Sequence, residues 1–461
     1  MDLPLRERSK ARRKTSVGAV RRRHVIYVAG YEPRGAKGYC KLFERECDRF
    51  QRVWPVSLTI EPTDFDSEDF ARWLVDVRAS HWQVSTTYDF LRLEGFIRSD
   101  LAEPMVRHIP RALGWVIGDL VSGALLRIFR ASWRFGLHLF FVQLVLLAWL
   151  ALAAAIGATA GYLVTDHLGL PAPAGIVTSL LAALASFLAL QPVARRFGAI
   201  QIPSCWATLR RFARGQATWL DEVIDIGARR LMAAAERNDA DEIVVVGHSA
   251  GCVIAAAVVA RALEFDPQLG RRGPRVVLLT LGSVMPAVAL HPAAQRMRDI
   301  VGRLAVEPAL AWIDCKFRKD VMSFVKCDPV EGVGVHVGGR RCNPLTWRIP
   351  FKDMLSPQDY RRLRWKFFRV HFQYIMASDR PCPYDYILLV AGPVAIAEWA
   401  KRHYELTLSF IGDGTHSGRA PSPSLSSPGS AGVSPASSFT TIGAGGTPAL
   451  PGGGSRGGGE A

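Results

Sequence analysis

The chain has 461 residues, enough for one large domain with extensions or for two domains. Its formal net charge of +16 points to contact with anionic surfaces such as lipid headgroups or nucleic acid. The eight cysteines are scattered without paired or metal-like spacing, which argues against a disulfide framework and for free thiols in a reducing compartment. Much of the charge lies in residues 1–23, where Arg6, Arg8, Lys10 and Arg21 to Arg23 cluster. No apolar segment follows closely, so this stretch is not a signal peptide. It reads as a basic, disordered arm held near a membrane, with no nucleic-acid partner expected. His24 to Gly30 (HVIYVAG) then predicts a strand, Tyr31 to Gly35 a loop, and Ala36 to Gln51 an amphipathic helix. A second strand is expected around Arg52 to Ile60, with further α/β material to about Glu103. Residues 24–105 form the first part of an α/β domain.

The composition then changes. Leu139 to Val164 and Ala174 to Ala194 carry no charged residue. Each exceeds the ~20 residues that a helix needs to cross a bilayer core. The connector, Thr165 to Pro173, contains Asp166, His167 and two prolines, so residues 138–196 read as a transmembrane helical hairpin. Arg127, Arg130 and Arg134 precede it, and Arg195, Arg196, Arg210, Arg211 and Arg214 follow, whereas the connector has no Lys or Arg. The positive-inside rule places both flanks, and with them both termini, in the cytoplasm. Residues 106–137, with Leu113, Trp115, Val116, Leu120 and Leu125 beside arginines, predict either an amphipathic interfacial helix or a partly buried cap.

Helical periodicity resumes from Cys205 to Arg237 and leads to Glu242–Gly251 (EIVVVGHSAG). A β-branched run, a serine between two glycines and the alanine- and valine-rich Cys252 to Leu263 predict a buried strand, a sharp turn and a buried helix. Further strands are expected at Arg275 to Leu281 and Leu310 to Lys316, with a helix from His291 to Leu304 between them. Strands alternating with helices imply an α/β fold with a mostly parallel sheet and helices on both faces, the hairpin being an insertion. Residues 200–411 form the second part of that domain. The tail, 412–461, is Gly, Ser, Pro, Ala and Thr with almost no large apolar residues, and is expected to be disordered.

Gly247-His248-Ser249-Ala250-Gly251, set between strand and helix, resembles the nucleophile elbow of the α/β-hydrolase family. The resemblance covers roughly His24 to Glu103 and Cys205 to Phe410. It implies that Ser249 is the nucleophile and that the backbone N–H groups of Ala250 and Tyr31 hold the oxyanion. The family's order of serine, acid, then histidine places the acid after the Leu310–Lys316 strand, at Asp320, with Asp328 as its rival; Asp314, inside the strand, reads as structural. Of eleven histidines, only His336 and His371 suit the order for the base. His371, among the aromatics of Phe367 to Tyr374, is the better candidate. No Walker motif, Rossmann fingerprint or zinc-ligand set is present, so no cofactor or metal is expected. These residues predict a membrane-anchored serine hydrolase acting on carboxylic esters, with lipid-like acyl esters favoured by the tether. The same triad would serve acyl transfer or thioester cleavage, and a silent, membrane-bound scaffold is the reading from a different class.

Overall fold

A computed structural model describes residues 20–403. Most of the basic arm and the whole of the 412–461 tail lie outside the described residues. The centre is an eight-stranded sheet in the order β2-β3-β4-β1-β5-β6-β7-β8. Its strands are β1 (Arg22–Val28), β2 (Ser57–Asp64), β3 (Phe70–Arg78), β4 (Gln83–Leu91), β5 (Glu242–His248), β6 (Arg275–Leu281), β7 (Leu310–Phe317) and β8 (Leu345–Ile349). From β4 through β1 to β8 the pairing is parallel, while β2, β3 and β4 form an antiparallel edge. The fold is therefore α/β with a mostly parallel sheet.

Alternation along each strand feeds two cores. Ile26, Val28, Val245 and Leu278 face one; Tyr27, Val244, Val246 and Leu279 face the other. All seven side chains of β5 are buried, as a central strand covered on both faces requires. Helix α1 (Gly35–Val53) covers the second face. Its extension to Val53 delays the second strand, which begins at Ser57 and not near Arg52. After β4 come α2 (Glu94–Ala102), α3 (Met105–Val121) and α4 (Ala124–Ala131). Ala112, Trp115, Val116, Leu125 and Ile128 bury against the first core, whereas Ile117, Leu120, Val121 and Leu126 are exposed. Residues 105–131 thus cap the domain with one face, through a 71° bend between α3 and α4.

The hairpin consists of α5 (Trp133–Tyr162) and α6 (Ala172–Arg196). Both are long and apolar enough to cross a membrane. At about 1.5 Å per residue, the 30 residues of α5 extend about 45 Å, well beyond a ~30 Å hydrocarbon core. The surplus is used: Phe135, Leu139, Val142 and Leu146, in its first half, pack into the domain core. Farther along, its buried positions are Trp149, Ala153, Gly157 and Gly161.

The chain returns through α7 (Gln201–Ala213) and α8 (Thr218–Arg237) to the elbow. The expected single helix is broken at Gly215, whose φ of 71° ends α7. Helix α9 (Gly251–Phe265) follows β5, and α10 (Met285–Ala289) and α11 (Gln295–Ala305) follow β6. Four short helices, α12 (Phe351–Met354), α13 (Pro357–Leu363), α14 (Phe367–Phe372) and α15 (Tyr386–Ala391), precede a helical stretch at 396–403 that closes the described chain.

Candidate active site

Ser249 sits between the end of β5 and the start of α9 with φ of +58°, in the left-handed region that a serine seldom adopts. The flanking glycines explain how the turn closes. A Cβ at Gly251 would lie 2.3 Å from the Val28 carbonyl oxygen, and one at Gly247 would lie 2.6 Å from the Cys252 Cα. Any side chain at either position would push the helix off the sheet. Ser249 N–H donates to the Leu281 carbonyl at 2.9 Å, which ties the turn to the end of β6. Its side chain is half-buried and lines a cavity of about 240 Å³.

Asp320 follows β7 in the loop that its position predicts, and His371 lies on α14. Their side chains meet: His371 Nδ1 is 2.8 Å from Asp320 Oδ2, and both residues are buried. Asp320 Oδ1 accepts from the Met322 N–H at 2.8 Å, which fixes the carboxylate plane. Burial alone would raise the Asp320 pKa, but the charge and hydrogen bond of His371 and the Met322 amide outweigh it and hold the carboxyl below its usual range. With Nδ1 committed to the carboxylate, His371 Nε2 is buried without a protein partner. The ring also lines the cavity that Ser249 lines. Its Cε1 lies 2.9 Å from where a Cβ of Gly282 would stand, one residue beyond the carbonyl that anchors Ser249. Ser249 and His371 are not hydrogen-bonded to each other.

The rival residues stand elsewhere. Asp314 is buried in β7 between the Thr280 hydroxyl at 2.8 Å and Lys316 Nζ at 3.0 Å, a structural pairing. Asp328 caps its own loop through the N–H groups of Val330 and Glu331 and pairs with Arg341. His336 is exposed. Neither Asp328 nor His336 lines the cavity.

The oxyanion candidates lie at the same cavity. A Cβ at Gly30 would stand 3.2 Å from Ser249 Cβ, so the loop after β1 passes against Ser249. Tyr31 is held by Gln201 Nε2, which donates to its carbonyl at 2.8 Å, and by its own hydroxyl, which donates to Asp100. Among the described residues, neither the Tyr31 nor the Ala250 N–H donates to a protein acceptor. Both remain available to a ligand.

Three further features support the site. His248 Nε2 donates to the His371 carbonyl at 3.1 Å, so the elbow's own histidine braces the helix that carries the other. Burial first, then repulsion from His371, lowers the His248 pKa to about 3 and keeps it neutral. The Tyr374 ring stands edge-on to His371, stacks on Phe317 and accepts the Phe317 N–H through its hydroxyl at 2.6 Å. The third feature is the cavity wall. Phe135, His138 and Leu139 come from the start of α5, while Ile202, Trp206 and Leu209 come from α7, just after α6. The only signal for these was their position at the domain-proximal ends of the two apolar helices.

Among the described residues no group of His, Cys, Asp and Glu could hold a metal ion. The chain matches no family model, no curated protein and no solved structure.

Proposed function

We propose that the protein is a membrane-anchored serine hydrolase that cleaves carboxylic esters, among them lipid-like acyl esters. The observation that carries this reading is the buried Asp320–His371 pair, whose free Nε2 shares a cavity with a serine on a left-handed turn. Ser249 Oγ attacks the acyl carbonyl while His371 Nε2 takes its proton. Asp320 holds the imidazole in the tautomer that leaves Nε2 open and stabilises the imidazolium. The negative oxygen of the tetrahedral intermediate accepts from the Ala250 and Tyr31 N–H groups. Collapse expels the alcohol, which takes the proton from His371. Water, activated by the same histidine, then releases the acid and regenerates Ser249. The resemblance to α/β-hydrolases at the elbow supports this sequence of roles, and the position of the acid after β7 agrees with it.

The apolar walls suit a hydrocarbon acyl group, and they are built from the start of the hairpin and the helix that follows it. The arginine asymmetry orients the hairpin with the catalytic unit and both termini on the cytoplasmic side. One experiment tests both statements. A membrane-impermeant fluorophosphonate should label inside-out vesicles and leave sealed right-side-out vesicles unlabelled, with all labelling lost in Ser249→Ala. Absence of labelling in the folded wild-type protein would leave a silent scaffold. Labelling of right-side-out vesicles alone would reverse the orientation.

A further inference from the structure

Arg361 to Arg369 (RRLRWKFFR) contains five cations and three aromatic residues and no acid. Every residue in it except Leu363 is exposed. Trp365 is 68% exposed and Phe368 51%, a costly display for rings of this size in water. Among the described residues, none of its cations pairs with a carboxylate, although arginines elsewhere in the chain do so repeatedly. The segment is joined by the loop after β7: the cations of Lys319 and Arg364 both lie over the Trp365 ring, at 5.9 and 5.6 Å.

This surface adjoins the hairpin. Arg134, at the start of α5, donates to the Arg318 carbonyl at 3.0 Å, and His138 one turn later meets Phe368 edge-on. Exposed Trp133 lies beneath the Arg134 guanidinium. Aromatic rings interleaved with unpaired cations, beside the end of an apolar helix, match the chemistry of a bilayer interface. There the rings sit at headgroup level and the cations meet anionic lipid.

We propose that Arg361–Arg369 and Arg318–Lys319 form a docking surface for the anionic phospholipid headgroups of the leaflet next to the domain. The proposal rests on the membrane-anchored part of the reading above and not on the hydrolase chemistry. Its consequence for the site follows from chain connectivity. Lys319 immediately precedes Asp320, and Arg369 is two residues before His371. The loop and the helical segment that grip the headgroups are the two that bring acid and base together, and Phe368 belongs to both the surface and the cavity wall.

The test uses the full chain in nanodiscs of phosphatidylcholine alone or with roughly 30% phosphatidylglycerol, followed by hydrogen exchange. Amides in residues 361–369 should exchange about fivefold more slowly in the anionic discs, and about 0.5 M salt should erase the difference. A chain carrying Arg361→Gln, Arg362→Gln and Arg364→Gln together should show the neutral-disc rate in both. Equal exchange in the two lipids, or undiminished protection in the triple variant, overturns the proposal. Failure of the wild-type chain to co-elute with any disc would instead overturn the anchored reading on which it rests.

Discussion

Helix α9, behind the candidate nucleophile, and helix α6, the second apolar span, are both rich in alanine and aliphatic residues, yet they meet opposite surroundings. Twelve of the fifteen residues of α9 are buried, whereas only Gly175 and Ala194 of the twenty-five in α6 are. The first is apolar because strands and helices enclose it; the second because nothing in the protein does. Hydrophobicity alone does not separate the cases. The separation comes from what flanks each helix, a β-branched strand and glycine elbow in one and arginine clusters in the other. Packing around α9 is close on every side and leaves its positions little freedom. Beyond the first half of α5, which packs into the domain core, the hairpin has to satisfy only length, apolarity and one narrow seam.

The largest effects should therefore follow changes in the enclosed region. Asp320→Asn should lower ester turnover by about a thousandfold to ten-thousandfold, because the amide favours the wrong imidazole tautomer. His371→Ala should cost at least as much, since the three groups act as one unit. Asp328→Asn, at a carboxylate that caps its own loop, should stay within about twofold on the same assay. A defect in Asp328→Asn equal to that in Asp320→Asn, with circular dichroism unchanged, would reassign the acid.

A smaller effect probes the same region through stability. Burial and the neighbouring His371 depress the His248 pKa to about 3, against about 6.5 for a histidine in an unfolded chain. Below pH ~6.5 the unfolded state accepts a proton that the folded state refuses. Stability contributed by neutral His248 is thus present above pH ~6.5 and falls as the pH drops toward about 3. The slope is at most about 1.4 kcal/mol per pH unit. Asp385, its pKa raised to about 7, and His291, its pKa lowered to about 4, titrate in the same range but contribute alike to both proteins. In urea titrations of the detergent-solubilised protein between pH 6 and 4, the wild type should therefore lose stability more steeply than His248→Gln, which keeps a donor for the His371 carbonyl, by up to this slope. The depressed Asp320 adds its own loss only as pH falls through and below the ordinary carboxylate range, so the two windows separate. Parallel slopes for wild type and His248→Gln would rule out a neutral, buried His248.

The sequence was most legible where local chemistry and global packing impose the same residues. β6 runs from Arg275 to Leu281 as its β-branched pattern predicts, and β5 and the elbow glycines stand where the turn needs them. The hairpin was equally plain, since long uncharged runs have few alternatives. Amphipathic strands were harder whatever their length, β3 and β4 having nine residues each. The sequence of β3 and β4 indicates only further α/β material, and that of β8, five residues long with an exposed Arg348, gives no clear strand signal. The Asp320–His371 contact joins residues 51 apart. No local pattern encodes it; chain order and a family resemblance singled out the two positions. The cavity wall was the least legible, because its residues on α5 and α7 become neighbours only when the hairpin folds back.

The smallest predicted effect lies in the hairpin's seam, and it decides whether the two regions are as independent as their burial suggests. Gly157 and Gly161 are four residues apart on α5, and a Cβ at Gly157 would stand 2.5 Å from the Ser179 carbonyl oxygen and 2.7 Å from the Ala183 Cβ. The close approach lets Ser179 Oγ donate to the Gly157 carbonyl at 2.8 Å. Lipid tails offer apolar contact as good as leucine does, so small residues and such bonds are what hold two spans together. Gly157→Leu should separate α5 from α6 at a cost of about 1 kcal/mol. In nanodiscs this should appear as faster proteolysis of the 165–171 connector. Turnover of a short, water-soluble ester should stay within about twofold, because the cavity wall uses α5 only near Phe135, His138 and Leu139, more than four turns away from Gly157 at 3.6 residues per turn. Loss of that turnover in protein still inserted in the disc would mean that the seam transmits to the site. The hairpin would then be a working part of the catalytic unit and not only its tether.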